Sequence, residues 1–231
     1  AWAYFRIPET SRIRPAVTNP AAYSSKAAAA EGHSRSITKL LLMDVSFLMV
    51  ALVAMNSFMS ASGVQQTMVP LYGAHYLNLT EGQLGLAMSA IGIGNILTSF
   101  MAGWLSDRIG RKATIVPGVV LMGLSTAMVG LSGNVFLFVV SCAIMGIARG
   151  FAASIPAAYA ADIAPNGNYG ATLGLFRTFG DIGFVIGPLL TGWIADTTGS
   201  LSLPLFAAGA IMLISALLFG LFARETVTRR A

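Results

Sequence analysis

Four ionisable side chains, Asp44, Arg149, Arg177 and Asp181, fall inside long apolar stretches of the sequence. In hydrocarbon such groups are costly, so they face a bundle interior or water and mark substrate and ion pathways. Arg177 and Asp181 are one helical turn apart and can pair on one helix face. At 1.5 Å per residue, Arg149 and Asp181 each lie roughly 18 Å from a helix end, near the middle of a core about 30 Å thick. The chemistry open to them is contact with a charged substrate or the gain and loss of a proton; a permanently paired structural cluster is the competing reading. Asp44 lies only about 8 Å beyond Lys39 by the same rise and can stay at the interface. Asn56, Gln65, Gln66 and Asn95 add neutral polar groups in the first two spans, where helix–helix hydrogen bonds are the expected role.

The elements that must hold these groups are membrane helices. The 231 residues are 55% hydrophobic and 10% charged, with a mean hydropathy of +0.74, whereas soluble domains carry about 25% charged residues. A span needs about 20 mostly apolar residues, and six such stretches occur. They run over about 39–76, 82–105, 113–131, 135–161, 169–195 and 203–223, the first being long and expected to bend near Ser60 to Gly63. Short segments of alternating polarity, the mark of a membrane β-barrel, are absent. The expected fold is an all-α, six-helix transmembrane bundle at 37–226. Residues 1–36 then form the tail of a preceding helix plus a cytoplasmic linker, and 227–231 a cytoplasmic C-terminal tail. The linker has no apolar run that would make it a signal peptide.

The formal net charge of +5 is explained by where the charges lie. Arg6, Arg12, Arg14, Lys26, Arg35 and Lys39 precede the first span, Arg108, Arg111 and Lys112 separate the second from the third, and Arg224, Arg229 and Arg230 follow the last. All fall on one side of a six-span topology, opposite Glu81, Asp196 and His75. By the positive-inside rule both termini are cytoplasmic, so the basic excess reports topology and not nucleic-acid binding. The expected location is the plasma membrane, or the inner membrane of a bacterium. The lone Cys142 offers neither a disulfide nor a thiolate metal site. With His33 in the linker, His75 outside and no clustered carboxylates, no catalytic constellation, metal or cofactor is called for.

Two internal echoes bear on organisation. Phe5-Arg-Ile-Pro-Glu9-Thr10 and Phe222-Ala-Arg224-Glu225-Thr226 both read as helix exits on the basic side, which makes the chain the C-terminal half of a twelve-helix protein. Gly103-Trp-Leu-Ser-Asp107 and Gly192-Trp-Ile-Ala-Asp196 end spans on opposite faces, as an inverted 3+3 repeat would; chance recurrence is the alternative.

The segment Gly103-Trp-Leu-Ser-Asp107-Arg108-Ile-Gly110-Arg111-Lys112 is similar to the G-x-x-x-D-R-x-G-R-K signature of the major facilitator superfamily. Physically, Gly103 allows close helix approach, Gly110 permits a tight turn, and Asp107 can pair with Arg111 or face a helix N-terminus. The resemblance implies a gating role for Asp107, Arg108 and Arg111. Gly174, Gly183, Gly187, Pro188 and Gly192 resemble the family's antiporter signature, with Thr191 in place of one glycine. Small residues there suit close packing, and Gly-Pro suits bending. The surroundings of Arg149 resemble the family's fourth-helix arginine motif, though Gly150 follows at once and its glutamine is missing. The resemblance implies a secondary transporter working by alternating access, with the lipid bilayer, a small-molecule substrate, a coupling proton and the missing six-helix half as partners. Proton-coupled drug or metabolite efflux is the favoured expectation. Proton-coupled uptake of a sugar or metabolite, and a self-sufficient six-helix protein acting as a homodimer, are the alternatives.

Overall fold

The computed structural model describes residues 37–226; the expected linker and the tail at 227–231 lie outside the described residues. Among the described residues, six helices are long and apolar enough to cross a membrane. They are α1 (Val45–His75), α2 (Glu81–Ile109), α3 (Arg111–Leu131), α4 (Val135–Asp162), α5 (Tyr169–Thr198) and α6 (Ser202–Phe222).

The ends follow local chemistry more than hydropathy. Helix α2 runs past the expected Leu105 until Gly110, whose φ of 110° a side chain would resist. Helix α5 runs past Ala195 to Gly199 in the left-handed region. Thr80 and Gln83 form a capping box at the start of α2, and the Asn134 side chain accepts from the Leu137 N–H at the start of α4. The first span differs from expectation at its start. Residues 37–43 form a separate helical piece, because Asp44 leaves helical geometry and its carboxylate accepts from the Ser46 N–H at 2.7 Å, capping α1.

In place of a simple bend, Ser60–Met68 forms a π-helical stretch inside α1. The Val69 N–H reaches Val64 O, and Thr67 Oγ1 reaches Ser62 O, each five residues back. Pro70 follows immediately. A proline ring clashes with the carbonyl four residues earlier in a regular α-helix, and a widened turn just upstream relieves that conflict.

Helix α1 packs on α5 and α6, α2 on α4, and α3 on α4 and α6. Two crossings bring backbones together. In the first, a Cβ on Gly187 would meet Met59 O, Ser62 Oγ and Gly63 N of α1, and Thr191 Oγ1 lies 3.3 Å from Gly63 O. Pro188 has no N–H, which leaves Phe184 O without its helical donor; Ser62 Oγ donates to it at 2.7 Å. In the second, a Cβ on Gly94 would meet Ala143 O, Gly146 C and Ile147 N of α4, and Thr98 Oγ1 lies 3.0 Å from Ile147 O.

Helices α2 and α5 leave their other faces uncovered. Phe100 is 82% exposed and Leu189 68%, along with Ile96, Leu97 and Val185. Contiguous apolar area on this scale is foreign to a water-facing surface, and lipid or an apolar protein face is its natural cover.

Candidate functional site

Two groups of polar residues stand apart from the apolar packing. At mid-depth, Arg149 of α4 is half-buried and its Nη1 donates to Gln65 Oε1 of α1 at 2.6 Å. Arg177 and Asp181 of α5 form the expected pair, with Nε to Oδ1 at 3.0 Å. Their side chains are 63% and 56% exposed, and the Arg177 guanidinium also stacks over the Phe58 ring. The two sets do not join. Arg149 finds Gln65, not Asp181, because α4 meets α1 at this level whereas Arg177 and Asp181 look outward from α5. Asp44 lies apart from both, as the exposed α1 cap.

The second group gathers at the basic end. Arg111 pairs with Asp107 (2.7 Å) and with Asp162 (3.0 Å), and its Nη1 also reaches Ser106 Oγ at 3.2 Å. One guanidinium thus fastens the end of α2 to the end of α4. The N-terminus of α3 is faced by Glu225, whose carboxylate accepts from the Lys112 and Ala113 N–H groups, so Asp107 takes the pairing role alone. Anionic charge at that position suits the exposed donors of a helix start. Gly110 makes room for it: a Cβ there would meet Glu225 Oε2 at 2.7 Å. Lys112 Nζ donates to Ala223 O at 2.8 Å, Thr226 Oγ1 reaches Asp162, and Tyr159 OH donates to Arg224 O at 2.6 Å. Arg108 stacks on Trp104, 4.0 Å from the ring centroid.

The glycines separate by face. Gly183 and Gly187 lie against the α1 backbone, whereas a Cβ on Gly103, Gly174 or Gly192 would meet nothing within 4 Å. The close approach expected at Gly103 is therefore not made within this bundle, since its side of α2 looks away from α4. Sequence reasoning missed Asp162, Thr226 and the capping role of Glu225. A signal for Asp162 existed: it follows the fourth span on the same side as the basic loop.

Residues 40–231 match the Major Facilitator Superfamily. The chain belongs to that superfamily. Among its relatives, Multidrug resistance protein 2 of Bacillus subtilis is 31% identical over 152 residues, 66% of this chain and 38% of that protein. An uncharacterised MFS-type transporter of Methanocaldococcus jannaschii is 30% identical over 145 residues, 63% of this chain and 37% of that one. Quinolone resistance protein NorA of Staphylococcus aureus is 28% identical over 139 residues, 60% and 35% respectively. A crystal structure of the peptide transporter POT with sulfate shares the fold, with a TM-score of 0.66, 20% identity, and cover of 74% of this chain and 36% of that one. The matched part spans well under half the length of these relatives. Membership makes this a multi-pass membrane protein of a transporter family and not of an enzyme family.

Proposed function

We propose that this chain is the C-terminal six-helix half of an alternating-access secondary transporter that exports a small amphipathic molecule in exchange for protons. The observation that carries the reading is the Arg177–Asp181 pair, more than half exposed and about 12 Å (Arg177) to 18 Å (Asp181) from one end of a membrane helix. Lipid is a poor neighbour for an ion pair at that depth, so water or a second protein surface lies against α5. A central cavity between two six-helix halves supplies both. The efflux direction rests on relatives named for multidrug and quinolone resistance.

The two close crossings support a 3+3 inverted repeat. Gly94-x-x-x-Thr98 of α2 meets Ala143, Gly146 and Ile147 of α4, as Gly187-x-x-x-Thr191 of α5 meets Met59, Ser62 and Gly63 of α1. Exchanging α1 with α4, α2 with α5 and α3 with α6 maps these contacts onto one another. The Gly-Trp echo of the sequence sits about one helical turn out of this register. In this reading the Asp107–Arg111–Asp162 cluster is a cytoplasmic latch, both termini are cytoplasmic, and residues 1–36 are the tail of a preceding helix plus the cytoplasmic linker between the two halves.

The test is flux in sealed vesicles containing the full-length parent, with a panel of cationic, neutral and acidic amphiphiles and an imposed pH gradient. Accumulation driven by an opposing proton gradient is expected. Flux indifferent to the gradient would remove proton exchange, and protein-independent flux for every compound would remove transport. A six-helix homodimer would instead show two copies of this chain per particle.

A further inference from the structure

The contact between Arg149 and Gln65 leaves a specific deficit. A guanidinium has only donors, so the Gln65 carboxamide must turn its oxygen to Arg149. Its Nε2 is thereby aimed elsewhere, and it finds no hydrogen-bond partner although Gln65 is only 6% exposed. Ser60 Oγ, one π-turn before Gln65, and Ser57 Oγ are likewise buried and unpartnered. No carboxylate among the described residues lies within ion-pair distance of Arg149, whose Gln65 partner is neutral. A charge without a counter-ion and an amide without an acceptor therefore stand side by side at the middle of the bundle. Each is costly when left so.

One kind of group relieves both. A carboxylate accepts two parallel bonds from a guanidinium and still has lone pairs for the Gln65 amide. A neutral carbonyl would satisfy the amide and leave the charge; a cation would be repelled.

We propose that Arg149 and Gln65 form an anion subsite that binds the carboxylate of an organic acid or zwitterion. This rests on the transport reading above and names the class of substrate it takes. The same carboxylate chemistry could come from an acidic side chain elsewhere in the full-length protein, and the experiment separates the two sources.

The full-length protein in phosphatidylcholine nanodiscs is titrated with a panel of amphipathic carboxylic acids, each paired with its methyl ester. At least one acid is expected to bind about tenfold or more tightly than its ester, the scale of a charge-assisted hydrogen bond. R149K should keep part of that preference and R149Q should abolish it. Q65L should shrink it, and Q65E, which supplies the anion in place, should abolish it while raising the Tm of the unliganded protein. Equal binding of every acid and ester, or a preference that survives R149Q, overturns the assignment. Absent acid preference together with a lowered Tm in Q65E identifies an internal acid as the partner and also overturns it. Vesicle flux is read in parallel. Protein-dependent ester flux without acid preference defeats the anion subsite alone, whereas acid binding without any protein-dependent flux defeats the transport reading alone.

Discussion

Replacing Gly187 by alanine tests the α1–α5 crossing directly. The new Cβ would lie 2.6 Å from Met59 O and 3.0 Å from Gly63 N, where ordinary contact begins at 3.4 Å. Ser62 Oγ, nearer still at 2.5 Å, belongs to a side chain that can turn aside, but the other two atoms are backbone, so the helices must part by about 0.8 Å to restore ordinary contact. That separation takes the Thr191–Gly63 bond, now 3.3 Å, out of range and leaves Ser62–Phe184, now 2.7 Å, at its limit. Overpacking costs about 1–3 kcal/mol and each weakened bond about 1 kcal/mol, against a gain of about 1 kcal/mol in helix propensity. The net loss expected is about 2–4 kcal/mol. Gly82→Ala is the control, since nothing lies within 4 Å of its Cβ and its expected change is neutral to about 1 kcal/mol stabilising. Unfolding of the purified full-length protein by SDS in mixed micelles measures both. Gly63→Ala combined with Gly187→Ala should cost less than the two singly, because one separation serves both. Equal stability of Gly187→Ala and Gly82→Ala would refute the close crossing.

Asp107→Asn or Arg111→Ala should slow transport turnover while leaving substrate binding nearly unchanged, and their effect on stability should stay within about 1 kcal/mol because the pairs are partly exposed; turnover equal to the parent's would reduce the cluster to a topology marker. Glu225→Gln keeps the shape but removes the charge at the α3 start, and unfolding should register a loss of about 0.5–1 kcal/mol. Cysteines placed at Gly133 and Ser200 should react with an impermeant thiol reagent from outside. Ser132 is fully buried and unsuited to this, as is the native Cys142; labelling from the cytoplasm alone would invert the topology. Neutralising Arg177 and Asp181 together should impair transport and remove its pH dependence; recovered transport with unchanged pH dependence would eliminate proton coupling at this pair.

The spans were legible because a bilayer demands long apolar runs, and the caps that end them are local: Thr80 with Gln83, Asn134, Gly110 and Gly199 announce themselves within a few residues. The i,i+4 spacing of Arg177 and Asp181 likewise carries its own geometry. Contacts between distant segments leave no such trace. Nothing in the spacing of Asp162 or Glu225 says that they meet the loop at 107–113, or that Thr226 meets Asp162, since that depends on how α4 and α6 exit beside α3. Arg149 was legible as a deep charge but not as the partner of Gln65, because the choice between Gln65 and Asp181 is made by which helix lies opposite. The π stretch was anticipated only as a bend, although Pro70 supplies its local cause.

The widened turn in α1 has a consequence for how sequence length and facing are coupled. In an α-helix each residue turns the chain by about 100°, so losing one residue swings everything beyond it onto a different side. The stretch from Ser60 to Met68 holds its surplus residue in reserve, spread over a bulge already in place. Removing a residue there would tighten the helix towards an ordinary pitch and bring back the conflict of Pro70 with the carbonyl four residues earlier. Along the rest of α1, the same removal would disengage Tyr72, whose hydroxyl reaches the carbonyls of Gly130 and Ser132. A change of length around Gln65 would therefore spare the facing of Tyr72 but move Ser62 and Gly63, which hold the crossing with α5, and Gln65, which meets Arg149, so the most polar turn of α1 ties its length to two neighbouring helices.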